Sequence, residues 1–339
     1  MKLSVDPTNV CHLRCPLCPT GQRTIDRPHG HLDLLLFERL LEELGDYLFF
    51  MDFFNWGEPL LNTHVETLIS RAEARGIICT LSTSLSLPLD DARIHRLVTS
   101  GLHEMIVSLD GATQETYAQY RKGGDFSLVC ANIAKLVAEK RRLGVTRPLI
   151  TWQYVVFRHN EHEKDRAREL AKQFGVDRIC FRAPLLDTER PEIATQERDA
   201  LISWAPEDRA FRIPRKHPQK SSNTCSWHYM SPAVNADGAV APCTGVHSRT
   251  NDFGTLVPSG NPEGNGERTY MNLVNNANYR SVRDRFAGRS LEPGSSICDA
   301  CPVPSIKDHH KHLNREIAIL TAVTLWRRVI GRQRTRLVE

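Results

Sequence analysis

The sequence predicts an α/β fold: a partial (β/α)6 barrel, open on one side, with a smaller domain at its C-terminal end. Six strand-like segments alternate with helix-like segments through residues 1–205, and strands that alternate with helices form parallel sheets with right-handed crossovers. The alternation weakens after Asp187, where the sequence becomes rich in proline and lysine. A second pattern, built on widely spaced cysteines, then begins at Cys225.

The predicted strands are short and rich in apolar residues: LSVD, LFFMDFFNW, IICTLSTS, EMIVSLDG, LITWQYVVF and VDRICFRA. Helical periodicity runs through LLLFERLLEELGDY, VETLISRAEARG, DARIHRLVTSG, SLVCANIAKLVAEKRRLG and EKDRARELAKQFG. In barrels of this kind the active site lies at the C-terminal ends of the strands. Residues directly after each predicted strand are therefore the first candidates for a functional site.

Four regions follow from these patterns. Residues 1–205 form the barrel, 206–224 a linker, 225–305 the second domain and 306–339 an amphipathic helix that we expect to dock on the barrel. Its apolar residues include Ile317, Leu320, Leu325 and Trp326.

The composition is that of an ordinary globular protein. Apolar residues make up 40% of the 339 residues and charged residues 25%, and the net charge of +4 does not by itself indicate a nucleic-acid or membrane partner. No apolar run approaches the roughly 20 residues of a membrane span, and the first residues lack the apolar core of a secretory signal. We therefore expect a cytoplasmic protein, in which patterned cysteines indicate metal or iron–sulfur ligation rather than disulfides.

Three cysteines follow the first predicted strand with the spacing C-x3-C-x2-C: Cys11, Cys15 and Cys18. A structural zinc site needs four ligands, and His12 is a possible fourth beside these three thiolates. A [4Fe–4S] cluster also takes cysteine thiolates, and three of them leave one iron open to another ligand. The spacing alone leaves both sites possible.

This motif, in the loop after the first strand of a β/α barrel, resembles that of the radical S-adenosylmethionine (SAM) superfamily. The resemblance implies that the three cysteines hold a [4Fe–4S] cluster whose open iron binds SAM. It also implies that one electron from the cluster cleaves SAM to a 5′-deoxyadenosyl radical, which takes a hydrogen atom from the substrate.

Further segments resemble the SAM-binding segments of that superfamily. The sequence NWGEPLL is similar to the GGEP segment, with Trp56 in place of the first glycine, so that Gly57 and Glu58 carry the match and are implied to bind the SAM amino group. The segment STS, from Ser82 to Ser84, lies where many members have a Ser or Thr near SAM. The segments SLDG and YRKGGDF are typical of the SPASM/Twitch subgroup and contribute three further candidates, Ser108, Asp110 and Arg121, of which the arginine suits a carboxylate.

The second region carries four cysteines: Cys225, Cys243, Cys298 and Cys301. The sequence VNADG between the first two predicts a hairpin turn, and on geometry alone a zinc ribbon is possible. The pattern also looks like the Twitch domain, a short form of the SPASM fold. That resemblance implies an auxiliary [4Fe–4S] cluster with four cysteine ligands, which passes electrons rather than binding substrate.

Cys180 is the candidate catalytic residue. In the predicted strand DRICFRA, Ile179 and Phe181 face one way and Cys180 and Arg182 the other, and the apolar pair should pack on the outer helices. Cys180 then faces the interior, where its weak S–H bond can return a hydrogen atom to a carbon radical. We expect Cys79 and Cys130 to be packing residues.

The resemblance implies an enzyme that acts on a carbinol carbon of an amino sugar or aminocyclitol and draws electrons from a donor such as flavodoxin or ferredoxin. Cys180 favours epimerisation, as in the epimerases of aminoglycoside pathways. The alternatives are a dehydrogenase, which oxidises the alcohol to a ketone through the auxiliary cluster, and a peptide-modifying enzyme of the sactipeptide type. An iron–sulfur protein without catalysis would need no SAM-binding segments.

Overall fold

The computed structural model describes residues 1–186, 194–212, 232–256 and 269–286, together with Arg289 and Cys298. The first six strands form one parallel sheet in the order β6-β5-β4-β3-β2-β1, as the sequence predicts for a partial barrel. The nine strands described are β1 (Lys2–Val5), β2 (Phe50–Phe53), β3 (Ile78–Thr83), β4 (Glu104–Ser108), β5 (Leu149–Val155), β6 (Arg178–Arg182), β7 (Ala233–Val234), β8 (Ala239–Ala241) and β9 (Gly254–Thr255).

Helices connect successive strands of the parallel sheet, and three of them begin at an aspartate that caps the first turn. Asp33, Asp90 and Asp125 each accept a hydrogen bond from a backbone N–H of the first turn that they cap. The described helices are α1 (Pro19–Gln22), α2 (Leu34–Leu44), α3 (Val65–Glu73), α4 (Asp91–Thr99), α5 (Gln114–Tyr120), α6 (Phe126–Leu143), α7 (Lys164–Phe174), α8 (Thr195–Trp204), α9 (Tyr270–Leu273) and α10 (Ala277–Phe286). None of those within the described ranges is long and apolar enough to cross a membrane.

The two faces of the parallel sheet differ in polarity because side chains alternate along each strand. The outer face packs against the helices and is mostly buried and apolar, with Trp152 and Tyr154 of β5 among its largest side chains. Cys79 lies on this face with no exposed surface, as predicted for a packing residue. The inner face carries polar side chains, and the candidate active site lies on this face.

The second region continues the same sheet. Strand β7 pairs with β1 in parallel, so that Ser4 lies opposite Ala233, and β8 and β9 follow in antiparallel order. The turn between β7 and β8 is the hairpin predicted from VNADG, and Gly238 has the positive φ of 79° that such a turn requires. The sequence pattern does not predict the pairing with β1.

A buried arginine joins the second region to the segment after the cysteine motif. The Arg27 guanidinium forms two hydrogen bonds of 2.6 Å to the Asp252 carboxylate and a third, of 3.1 Å, to the His247 carbonyl. Its side chain has no exposed surface, so these bonds supply the partners that a buried cation needs. The boundaries predicted for the linker and second domain remain predictions, because residues 213–231 and 306–339 lie outside the described ranges.

Candidate active site

The three cysteines of the motif line one cavity at the C-terminal end of β1. Cys15 is 5% exposed, and Cys11 and Cys18 are partly buried around the same space. Burial raises the pKa of the Cys11 thiol to about 12 and also raises that of Cys15. Bound metal stabilises the thiolate and reverses this effect, so three thiols that line one cavity fit the donor set of an iron–sulfur cluster.

The helix α1 fixes the backbone of Cys15 at close range. A Cβ added to Gly21 of this helix would lie 2.5 Å from both the backbone nitrogen and oxygen of Cys15, so only glycine fits there. The Thr20 hydroxyl, from the same helix, donates a 2.6 Å hydrogen bond to the Trp56 carbonyl. The cysteine loop is thereby tied to the segment NWGEPLL.

Gly57 is required by its contact with the segment before Cys11. A Cβ at Gly57 would lie 1.8 Å from the Thr8 carbonyl oxygen, a distance that no side chain tolerates. The next backbone N–H, that of Glu58, donates to the Val10 carbonyl at 2.9 Å. Trp56, which replaces the first glycine of the GGEP pattern, also lines the cavity.

Asp6 lies behind this turn and was not predicted as a site residue. It is buried at the end of β1, and its carboxyl accepts a 3.4 Å hydrogen bond from the backbone N–H of Trp56. Burial raises the pKa of Asp6 to about 7, because the hydrogen bonds from neighbouring backbone groups only partly offset the loss of water. Asp6 is therefore a structural support of the cavity wall.

Glu58 is held by donors of the chain itself. Its Oε1 accepts from the Thr83 hydroxyl at 2.5 Å and from the Leu60 N–H at 3.2 Å, and its Oε2 accepts from the N–H and hydroxyl of Ser84 at 2.7 and 2.6 Å. The side chain is 2% exposed. Glu58 thus joins the end of β2 to the end of β3, a role that the resemblance did not imply.

We expect Glu58→Gln to lower both the stability and the SAM affinity of the protein. In one orientation the glutamine NH2 group faces the Leu60 N–H, and in the other it faces the Ser84 N–H. One buried N–H donor therefore loses its acceptor, which lowers the free energy of unfolding by about 1–3 kcal/mol. The cavity wall then shifts, and SAM affinity should fall by about 10-fold or more. Thermal unfolding and equilibrium SAM binding measure the two effects.

The matched control for this prediction is Glu66→Gln. Glu66 is also buried, but its carboxylate accepts from Arg93 on α4 and does not line the cavity. That variant should bind SAM like the unmodified protein. A Glu58→Gln variant with unchanged stability and SAM affinity would contradict the assignment.

Asp110 and Arg121 form a buried ion pair beside the cysteines. The Arg121 Nε donates to Asp110 Oδ2 at 2.7 Å, and Asp110 Oδ1 accepts from the Val155 N–H at 2.7 Å. Burial alone would lower the pKa of Arg121, but the Asp110 carboxylate raises it well above its usual value. Arg121 lines the cavity, whereas Asp110 is fully buried behind it and acts by holding the arginine.

Ser82 and Ser108 line the cavity from the ends of β3 and β4. The strand register then places two further side chains level with Ser108: Gln153 of β5 lies opposite it, and Cys180 of β6 lies opposite Gln153. Ile179 and Phe181, on the other face of β6, pack against the core. Cys180 therefore shares the inner face with Ser108, and its catalytic role remains a prediction.

Gln153 was missed as a site residue. Gln153 alternates with the apolar Trp152 and Tyr154, a pattern that could have placed it on the inner face. Thr83 and Ser84 belong to the STS segment that the resemblance places near SAM, but their hydrogen bonds to Glu58 were not predicted.

Two of the four predicted auxiliary ligands lie in the described residues. Cys243 follows β8 and packs beside Ala233, Ala241 and Val246. Cys298 packs against the cluster of Phe253, Tyr279 and Val282. Cys225 and Cys301 lie outside the described ranges, so the four-thiolate site stays a prediction.

Comparisons with known proteins agree with this geometry. Residues 5–171 match the family model of the Radical SAM superfamily. The PqqA peptide cyclase of Gluconobacter oxydans (strain 621H) is 25% identical over 261 residues, which cover 77% of this chain and 68% of that protein. The PqqA peptide cyclase of Granulibacter bethesdensis is 29% identical over 178 residues, covering 52% of this chain and 46% of that protein.

The chain therefore spans about half to two thirds of the length of these curated relatives. Among solved structures, native anSMEcpe with bound AdoMet, which is SAM, has a TM-score of 0.58 at 16% identity, covering 95% of this chain and 98% of that chain. At this identity the likeness shows the fold. The family match identifies the chain as a member of the Radical SAM superfamily.

Proposed function

We propose that this enzyme epimerises a carbinol carbon of an amino sugar or aminocyclitol, with Cys180 as the hydrogen donor. One observation carries the proposal: Ser108 of the cavity wall, Gln153 and Cys180 lie level with one another on the inner face. Adjacent strands are about 4.8 Å apart, so the Cα of Cys180 lies about 10 Å from that of Ser108. A small substrate held between them has the cysteine motif on one side and the thiol on the other.

The residues present fit the cofactors of this chemistry. Cys11, Cys15 and Cys18 would hold a [4Fe–4S] cluster, and the walls formed by Gly57, Ser82, Ser108 and Arg121 would hold SAM. When bound, these cofactors supply a 5′-deoxyadenosyl radical that takes the carbinol hydrogen atom. The role of Glu58 is to fix the wall, and that of Asp110 is to orient Arg121.

Cys180 determines what becomes of the substrate radical. Transfer of the thiol hydrogen atom to the opposite face of the carbon breaks S–H, forms C–H and inverts the centre. The resulting thiyl radical returns to a thiol by taking one electron and one proton, and we propose flavodoxin or ferredoxin as the electron donor. Without a hydrogen-atom donor, the carbon radical would lose a proton and pass one electron to the proposed auxiliary cluster, which would give a ketone.

Product analysis tests this proposal. The reduced enzyme is incubated with SAM and a panel of amino sugars and aminocyclitols, and the products are separated from 5′-deoxyadenosine and identified by mass and NMR. An epimer has the mass of its substrate, whereas a ketone is two hydrogen atoms lighter. Ketone as the sole product would favour the dehydrogenase alternative.

Peptide modification is a second candidate, favoured by the similarity to two PqqA peptide cyclases. The same assay distinguishes it when peptides are included in the panel. A peptide product, with no turnover of any sugar or cyclitol, would replace the proposed substrate class.

We also propose an auxiliary [4Fe–4S] cluster on Cys225, Cys243, Cys298 and Cys301. Protein reconstituted without oxygen should then contain about eight iron atoms, four in each cluster. Replacing Cys243 with Ala should remove about half of the iron and leave the SAM-binding cluster in place. Zinc in the second site, measured by metal analysis, would contradict the auxiliary cluster.

A further inference from the structure

The inner face of the barrel consists of layers whose polar groups differ in how they are paired. In the lowest layer the Lys2 ammonium binds the Asp52 carboxylate at 2.6 Å. Nearby, the Glu104 carboxylate accepts from the Thr151 hydroxyl at 2.6 Å and also binds the Arg178 guanidinium. These charged groups are therefore paired with one another.

At the rim, the Asp110 carboxylate is likewise engaged, with Arg121 and with the Val155 N–H. Between rim and base lies the row of Ser108, Gln153 and Cys180. None of these three side chains forms a hydrogen bond to any residue within the described ranges. The polar side chains of the row that begins at the cavity wall and ends at Cys180 are therefore all without a hydrogen-bond partner in the described structure.

Gln153 stands in the middle of this row and is partly buried. Its carboxamide offers two N–H donors and one carbonyl acceptor, a combination that matches a pair of neighbouring hydroxyl groups, each of which both donates and accepts. A lone anion would use only the N–H donors of this carboxamide, and a lone cation would use only its carbonyl oxygen. We propose that Gln153 binds the hydroxyl groups beside the reacting carbon of a polyhydroxylated ring and so orients that carbon toward Cys180.

This inference rests on the proposed function and adds the group that selects the substrate. A site built to hydrogen-bond hydroxyl groups discriminates strongly against analogues that lack them, because its own polar groups are then left unpaired. Gln153→Leu keeps the approximate size of the side chain and removes every hydrogen bond. Two lost bonds should weaken binding of a polyol by about 10-fold or more.

Binding without turnover tests the inference. The reconstituted enzyme is loaded with SAM but left unreduced, and anaerobic calorimetry measures the dissociation constant for 2-deoxy-scyllo-inosamine. Cyclohexylamine, which has no hydroxyl groups, and N-acetylglycinamide, which presents peptide groups, are the comparison compounds. The control variant is Gln173→Leu, at an exposed position on α7.

We expect the unmodified enzyme to bind the inosamine well and cyclohexylamine poorly. Gln153→Leu should weaken inosamine binding by about 10-fold or more while SAM affinity stays the same, and Gln173→Leu should change neither. Equal inosamine binding by Gln153→Leu overturns the role of Gln153. Failure of the unmodified enzyme to bind the inosamine, or a preference for N-acetylglycinamide, overturns the polyol class.

These results are separate from those that judge Cys180. Binding precedes the radical step, so a ketone product from the unmodified enzyme would reject the epimerase while leaving the binding data intact. Conversely, if Gln153→Leu does not weaken inosamine binding, the role of Cys180 as hydrogen donor is still decided by the reaction products.

Discussion

Replacing Cys15 with Ala is expected to abolish formation of 5′-deoxyadenosine. Cys15 is the most buried of the three thiols around the cavity, and its backbone is fixed by the close approach of Gly21. Two remaining thiolates leave a [4Fe–4S] cluster without one of its protein ligands, so that no electron reaches SAM. Chromatography of reactions with SAM and dithionite measures the product directly.

Cys130→Ala is the matched control for this prediction. Cys130 is also partly buried, but it lies on α6 and does not line the cavity. The control variant should keep its iron and cleave SAM at the rate of the unmodified enzyme. Cleavage at that rate by Cys15→Ala would remove the basis for the cluster assignment, provided that circular dichroism shows both variants folded.

Replacing Cys180 with Ala should change the product from epimer to ketone. The strand that carries Cys180 is anchored by Ile179 and Phe181 on its opposite face, so we expect the variant to fold, to bind both clusters and to cleave SAM. Without the thiol, no hydrogen atom reaches the radical from the second face. An α-hydroxy radical is a strong reductant, and it should then lose its electron to the auxiliary cluster.

Cys180→Ser sharpens this test because it preserves the size and polarity of the side chain. An O–H bond is too strong to give up its hydrogen atom to an α-hydroxy radical, so the serine variant should behave like the alanine variant. Normal epimerisation by either variant would show that Cys180 is a packing residue. Equal loss of both products would show that Cys180 is needed for binding or folding.

The barrel strands and the hairpin after β7 were predictable because their signals are local. Alternation between Ile179, Cys180 and Phe181 determines which face each residue occupies, and Gly238 supplies the positive φ of a turn. The cysteine motif was found because its spacing is short and it directly follows a strand.

The pairing of β7 with β1 was not predictable in the same way. It places Ser4 opposite Ala233, and a contact between residues this far apart in the sequence cannot be predicted from the pattern of either segment alone. The bonds of Glu58 were hidden for a similar reason, since its partners Thr83 and Ser84 stand on the next strand. The resemblance implied that Glu58 binds SAM. It did not indicate that hydrogen-bond donors of the chain itself already occupy both oxygens of the Glu58 carboxylate.

The same limit applies to Gln153. Its polarity between apolar neighbours was visible in the sequence, but its position between Ser108 and Cys180 follows only from the register of three strands. That register depends on how the whole sheet packs against its helices, which a pattern within one segment does not encode.

The origin of the hydrogen atom at the inverted carbon tests directly whether Cys180 is the hydrogen donor. The thiol hydrogen of Cys180 exchanges with solvent, whereas the carbinol hydrogen of the substrate does not. With the unmodified enzyme in D2O, NMR and mass spectrometry of the epimer should show one deuterium at the inverted carbon and none elsewhere on the carbon skeleton. An epimer without deuterium at that carbon would contradict hydrogen transfer from Cys180.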